Sequence, residues 1–279
     1  MTSVYDLHCH STASDGLLSP TELVNRAARQ GVTHLALTDH DTLQGQAEAQ
    51  LACQAQGITF IPGIELSAGW RKLCVHIVGL HIDLDNPRLR QGCQALAIQR
   101  TERARLISTK LAKIGIPDAY ESIQQHIGVS MPTRAHFAHF LLKQGHISQL
   151  QQAFDRYLGQ GKPCYVNGEW PSLNEVVTWI HDAGGIAVLA HPLRYSLSKT
   201  QTRLLLTEFT VAGGQAIEVV TGQSNHDQIQ TSAQWARRFN LAASQGSDFH
   251  HPDNIYVELG KLAAMPTDLK PVWLLHYNQ

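Results

Sequence analysis

Nine residues of this 279-residue chain combine a type that binds divalent metal ions with a place at or near the end of an apparent strand: His8, His10, Asp15, His40, Glu65, His76, His191, Asp248 and His250. Imidazole nitrogens and carboxylate oxygens suit borderline and hard cations, and so many exceed what one tetrahedral site can use. Spacing adds to residue type. In His8-Cys9-His10, residues two apart on a strand face one side, so both rings can reach one ion. A lone His-x-His says little; joined to Asp39-His40-Asp41 and Asp248-Phe249-His250, each behind its own apolar run, it is hard to ascribe to coincidence. Glu65 follows Phe60-Ile61-Pro62-Gly63-Ile64, where a half-buried carboxylate is costly unless paired or metal-bound, and it is expected to bridge two ions. Asp15 precedes Gly16, a place an ordinary turn acid also takes, and Asp41 is expected to be a helix N-cap rather than a ligand. The pattern predicts a multinuclear metallohydrolase.

Such residues need elements to present them. Residues 4–7, 33–37, 57–64, 73–79, 186–190, 216–220 and 241–243 read as strands. Between them, Ser19-Pro20-Thr21-Glu22 and Ser172-Leu173-Asn174-Glu175 spell capping boxes, with Gly31 and Gly184-Gly185 as stops, and residues 43–56 read as a further helix. Alternation of strand and helix predicts a parallel sheet. Metal-type residues just past the strand ends would then gather at one rim of a closed or nearly closed (β/α) barrel. The rhythm breaks after residue 100, so the predicted organisation is a barrel over 1–99 and 166–279 with a helical, substrate-capping insertion over 100–165.

Hydrophobic residues at 43% provide a substantial core, and 22 Lys+Arg against 23 Asp+Glu create no global demand for a nucleic-acid or membrane partner. Five cysteines, an odd number without paired spacing, predict reduced thiols and a cytoplasmic setting, with Cys9 close to the metals. Neither a basic, apolar leader nor a window of ~18 apolar residues is present, which predicts a soluble, unexported protein. Local charge is less even: Arg88, Arg90, Arg100, Arg103, Arg105, Lys110 and Lys113 face the single acid Glu102, as a solvated helix face or a track for RNA phosphates. Tyr165, Trp170 and Tyr195 read as packing residues or base-stacking platforms. The remaining histidines read as ordinary surface or half-buried groups, with His226 and His251 in loops that would approach a substrate.

Taken in order, Asp6-Leu7-His8-Cys9-His10-Ser11, Leu37-Thr38-Asp39-His40-Asp41, Pro62-Gly63-Ile64-Glu65, His76, Ala190-His191-Pro192 and Gly246-Ser247-Asp248-Phe249-His250 resemble the polymerase and histidinol phosphatase (PHP) domain of the amidohydrolase-like metalloenzymes. The resemblance covers most of the chain outside the insertion and implies a distorted, TIM-like (β/α) barrel. It also implies three divalent ions, Mn²⁺ with Fe²⁺ or Zn²⁺ as alternatives. His8, His10, Glu65 and Asp248 would hold one, Glu65, His76 and His191 a second, and Asp15, His40 and His250 a third; relatives often have histidine where this chain has Asp15. The implied reaction is phosphoester hydrolysis by water acidified between ions, with no general acid assigned.

The insertion extends the resemblance to a subgroup of bacterial 3′,5′-nucleotide bisphosphate phosphatases and 5′-to-3′ exoribonucleases. These would grip a 5′-phosphate and cut the ester on the 3′ side, so the implied substrate is a 5′-phosphorylated nucleotide or short single-stranded RNA, with no membrane and no obligate protein partner. Arg134, Lys162 and Arg194 are the candidates for that grip. The rival expectations are a phosphatase for another small phosphomonoester, such as a histidinol phosphate-like metabolite, and a non-catalytic PHP binding module.

Overall fold

The computed structural model describes residues 3–128 and 130–275. Two compact units are present, one formed by Met1–Cys93 with Trp170–Gln279 and the other by Gln94–Glu169.

The first unit is built on one seven-stranded sheet whose spatial order is the chain order: β1 (Tyr5–Asp6), β2 (His34–Leu37), β3 (Thr59–Trp70), β4 (Leu73–Leu80), β5 (Ile186–Leu189), β6 (Ala216–Thr221) and β7 (Ala242–Gly246). The ends of the sheet meet. Leu7 N donates to the Gln245 carbonyl at 3.1 Å, Asp248 N to His8 at 2.7 Å and His10 N to Phe249 at 2.9 Å, which closes the barrel along the segments following β1 and β7. Gly246 permits this approach, because a Cβ there would lie 2.6 Å from the His8 backbone nitrogen.

The sheet is mixed, not wholly parallel as the alternation predicts: β3 and β4 are antiparallel, as are β4 and β5. The cause is local. β3 continues past residue 64, its expected end, to Trp70, and Arg71-Lys72 is too short for anything but a hairpin back into β4. The other neighbours are parallel.

Helices of the barrel unit begin where their capping chemistry lies. In α1 (Pro20–Arg29) the Ser19 hydroxyl accepts from Glu22 N while the Glu22 carboxylate accepts from Ser19 N at 2.9 Å. α2 is Gln46–Gln56, with Gly45 at its N-cap. Asp41 is therefore no cap, contrary to expectation. It lies four residues before Gly45, is buried at φ 54°, and accepts from Ser67 N at 2.6 Å and Ser67 Oγ at 2.9 Å. The helix α3 (Pro87–Lys113) carries the chain into the second unit, where α4 (Ala119–Ile127), α5 (Arg134–Lys143) and α6 (Leu150–Ala153) precede a short π-helix at Phe154–Leu158. Back in the barrel unit, α7 (Leu173–Asp182) has the second predicted capping box, and α8 (Lys199–Val211) and α9 (His226–Phe239) have boxes at Ser198/Gln201 and Asn225/Gln228.

Leu7, Ala36, Ile61, Val78, Val188 and Ala216 form one buried cluster of the barrel, against which the stacked rings of Tyr5 and Trp273 pack. Leu23, Val24 and Ala27 of α1 and Ala49 and Cys53 of α2 join Leu35 and Leu37 in a second. The helical unit has its own core around Leu111, Ile123, Phe137, Leu141 and Leu158. Each buried Leu, Val or Phe contributes roughly 1.5–3 kcal/mol relative to exposure. Among the described residues no helix is long and apolar enough to cross a membrane.

Candidate metal centre

Seven of the nine candidate ligands follow strand ends, and two do not. His8, His10 and Asp15 come after β1, His40 after β2, His191 after β5, and Asp248 and His250 after β7. Glu65 and His76 lie within the β3–β4 hairpin. There Ser67 is paired with His76, so Glu65, two residues from Ser67, shares a face with His76 as its diagonal neighbour. The segment after β2 is tied to this hairpin, since Asp41 N donates to the Glu65 carbonyl at 2.9 Å.

All nine converge on the Glu65 carboxylate or its neighbours. Glu65 Oε1 is 3.0 Å from His76 Nδ1 and 3.0 Å from His191 Nε2. Glu65 Oε2 is 3.4 Å from His8 Nε2, 3.4 Å from His10 Nε2 and 2.9 Å from His40 Nδ1. Asp248 Oδ1 lies 3.4 Å from His8 Nε2 and 3.2 Å from His10 Nε2. On the other side, Asp15 Oδ1 is 3.5 Å from His250 Nε2, 3.8 Å from His40 Nε2 and 4.0 Å from His10 Nδ1.

Three groups have ligand atoms close enough to share an ion: His8, His10 and Glu65; His40, Glu65 and His76; and His10, Asp15, His40 and His250. Glu65 Oε2 and His40 Nδ1, although 2.9 Å apart, are not aligned for a hydrogen bond, and together with His10 Nδ1 and His191 Nδ1 they are buried without a hydrogen-bond partner among the described residues. Orphaned polar atoms of mixed nitrogen and oxygen type are costly unless a cation completes them, so the residues fit divalent metal ions.

Electrostatics tell the same story. Burial raises the cost of ionising Glu65, yet His40, His76 and His8 hold its carboxyl well below the usual range. Asp248 and Asp15 likewise overcome burial, the first through His8, Arg194 and His250, the second through His40 and His250. Against the same burial penalty, Glu65 raises His76 to about 10, and Asp248 with Asp15 raises His250 to about 9. His10 goes the other way, to about 3, because burial and the neighbouring His250 and His40 disfavour its cation. Without metal, protons on imidazole balance the carboxylates.

A ring of buried acids holds the ligand segments. Asp39 accepts from Ser11 N at 2.8 Å, Ser11 Oγ at 2.6 Å and Ser14 Oγ at 2.5 Å, which shapes the loop carrying Asp15. Asp6 accepts from Ser247 N at 2.8 Å and Gly260 N at 2.9 Å. His191 and Asp248 adopt φ 29° and 54°, an arrangement that costs of order 1–3 kcal/mol per residue and is retained where surrounding bonds enforce it. Glu218, which sequence reasoning passed over, bonds His8 and His191 and is 2% exposed. Its signal was available: like Glu65, it is a lone acid in an apolar run, Ala216-Ile217-Glu218-Val219-Val220.

The other candidates fare differently. Arg194 is exposed, with its guanidinium hydrogen-bonded to Asp248 Oδ2 at the edge of the centre. Arg134, the first residue of α5, lies 5.9 Å over the Phe154 ring, and Lys162 is exposed in the turn after the π-helix; both belong to the helical unit, and neither has an ion-pair partner among the described residues. Tyr195 packs edge-on against His191, and its hydroxyl accepts from His76 N at 2.8 Å. Cys9 is not turned to the ligands. Alternation sends its side chain into the core, where the thiol donates to the Ala36 carbonyl. His251 Nδ1 accepts from Asp253 N at 3.1 Å, His226 is exposed at the start of α9, and His276 lies outside the described residues.

Most of the basic run has internal partners. Arg88 pairs with Asp182 and Arg90 with Asp85, both at 2.5 Å; Arg103 and Lys110 donate to the carbonyls of Val166 and Tyr165, and Arg100 is buried.

The model of the PHP domain matches residues 6–166. A 5′-3′ exoribonuclease of Haemophilus influenzae is 46% identical, the alignment covering 98% of this chain and 99% of that protein. The chain belongs to the PHP domain family. A 3′,5′-nucleoside bisphosphate phosphatase of Chromobacterium violaceum is 42% identical over 96% of this PHP chain and 94% of its own. A solved amidohydrolase structure from the same organism, with bound sulfate and no metal, superposes with a TM-score of 0.93 at 41% identity, covering 98% of this chain and 95% of that one. With such relatives, this PHP chain is a hydrolase.

Proposed function

We propose that this PHP protein is a divalent-metal-dependent phosphoesterase that breaks the P–O3′ bond of 5′-phosphorylated nucleotides. On short RNA it acts as a 5′-to-3′ exoribonuclease, and on 3′,5′-bisphosphonucleotides as a phosphatase; in both reactions the product is a nucleoside 5′-monophosphate. The observation that carries the reading is Glu65, one buried carboxylate whose two oxygens approach five histidines while Oε2 is left without a hydrogen-bond donor.

His8, His10, Glu65 and Asp248 would hold one ion, Glu65, His76 and His191 a second, and Asp15, His40 and His250 a third, supplying Lewis acidity toward phosphoryl oxygens and a water acidified toward neutral pH. The chain's own groups do the rest. Arg194, exposed at the edge and anchored through Asp248, offers its remaining N–H groups to a substrate phosphate. Buried Asp39, Asp41 and Asp6 keep the ligand loops in place, so the centre is assembled before substrate arrives. The expectation that Arg134 and Lys162 also serve the 5′-phosphate rests on the sequence and is checked by comparing KM for substrates with and without that phosphate in each alanine variant.

A second reading, in which the mononucleotide bisphosphate is the main substrate, is favoured by the internal partners of Arg88, Arg90, Arg103 and Lys110, which leave little of α3 free as a track for long RNA. The test is to follow Mn²⁺-loaded protein on a short 5′-monophosphorylated RNA by mass. Stepwise release of 5′-mononucleotides supports the exonuclease; a bisphosphonucleotide consumed while RNA stays intact selects the phosphatase; inertness of both with Mn²⁺, Fe²⁺ and Zn²⁺ overturns the proposal.

A further inference from the structure

Glu218 is 2% exposed in an otherwise apolar strand. A carboxylate taken from water at that depth costs several kcal/mol unless its oxygens are well satisfied. Both are. Oε1 lies 2.7 Å from His8 Nδ1, and Oε2 accepts the backbone N–H of His191 at 2.6 Å. The β6–β7 register slips between Glu218 and Val220, and such a bulge re-aims the side chains beside it.

Two ligands depend on this one carboxylate in different ways. For His8 the issue is which nitrogen is left for an ion. An acceptor-only partner at Nδ1 keeps a hydrogen there, so Nε2, 3.4 Å from both Glu65 Oε2 and Asp248 Oδ1, is the nitrogen that gives up its proton to bind a cation. For His191 the issue is the backbone: its N–H is directed at Glu218 by a residue held at φ 29°, and the Glu218 bond is one of those that hold it there.

We infer that Glu218 is a positioning residue of the metal centre, presenting His8 to one ion and His191 to the next through a single buried carboxylate. The inference rests on the metal-site reading above. It makes Glu218 the link between ligands of two ions, so its loss disturbs both sites together. Carboxylates that orient ligating histidines in this way are worth about 10- to 100-fold in metal affinity.

Glu218→Gln is the informative change because it preserves size but offers one acceptor and one donor where two acceptors are required. If its carbonyl stays on His191 N–H, its amide faces His8 Nδ1 and selects the Nε2–H tautomer, whose only lone pair, on Nδ1, points away from the ion site. Mn²⁺ and Zn²⁺ titrations by calorimetry, with metal content of the dialysed protein, should show affinity down about 10- to 100-fold and fewer ions retained. Thermal unfolding of the metal-free variant separates this from a merely structural role: a positioning residue leaves it close to wild type and lets excess metal restore kcat, whereas a structural one lowers the melting temperature with no rescue. Wild-type affinity and stoichiometry in the variant overturn the inference, as does loss of folding cooperativity without a metal effect. Should Glu218→Gln fail to fold, Glu218→Asp, which keeps the charge but retracts it by one methylene, must show the same loss of affinity. Wild-type protein that binds neither ion would instead sink the metal-site reading itself, and this inference with it.

Discussion

At the residue scale, Glu65 is the group on which the centre turns, because each of its oxygens serves different histidines. Glu65→Ala is expected to lower kcat by more than about 1000-fold, at the upper end of what single electrostatic contacts supply; turnover within tenfold of wild type would remove it from the proposed ligand set. Charge at the same residues predicts a proton count. Without metal, Glu218, Glu65 and Asp248 hold His8 well above its ordinary value despite burial, His76 titrates at about 10 and His250 at about 9, so all three carry protons at neutral pH that an incoming cation must displace. Metal affinity should therefore rise with pH from 6 to about 9, with protons released to buffer, measured by calorimetry in buffers of different ionisation enthalpy. His10, at about 3, is already neutral and contributes nothing to that release.

At the element scale, the segment after β7 that carries the proposed ligands Asp248 and His250 depends on neighbours far away in the chain. Arg26 of α1 forms a two-pronged bond with Glu258, at 2.9 and 2.7 Å, and its guanidinium lies 5.2 Å over the Phe249 ring between Asp248 and His250. The bond to Arg26 lowers the Glu258 carboxyl below its ordinary value. A depressed carboxyl contributes stability above its unfolded value, near 4.5, and loses it as pH falls through the folded value. Glu258→Gln should thus cost about 1 kcal/mol at pH 7 and almost nothing well below pH 4, in urea unfolding at the two conditions. An equal cost at both would show that the pair acts through packing instead. The elements also show why some of the site was legible and some was not. The Ser19 and Ser172 capping boxes and the His8–His10 spacing are readable because their partners lie within three residues. Asp41 misled because an acid before a helix resembles a cap; its real partner, Ser67, is brought to it by β3.

At the scale of the whole molecule, the barrel brings together buried carboxylates and imidazoles, some of whose polar atoms lack a hydrogen-bond partner among the described residues, so binding of metal at the proposed centre would be thermodynamically linked to folding. Exhaustive chelation should lower the melting temperature, and Mn²⁺ at about 100 times its Kd should restore roughly 2.7 kcal/mol per site, read from the shift in thermal unfolding. A melting temperature indifferent to both treatments would mean that the cluster binds no metal in the folded protein. The helical unit, with its separate core of Leu111, Phe137 and Leu158, should be insensitive to that change in local hydrogen exchange.

The amino-acid sequence by itself determined the chemistry: which residue types are present, that they are too many for one ion, and that alternating apolar runs would carry most of them to one rim. Those properties are local, set by side-chain chemistry and by spacings of two to four residues. Only the tertiary structure decided the pairings. That Glu65 and His76 share a hairpin face follows from a two-residue turn that reverses β3; that Cys9 faces the core follows from the side on which β1 meets its neighbours. Glu218 shows the limit most clearly. Its partner His8 lies 210 residues away, and no short-range pattern encodes a contact that exists only because the last strands close against the first.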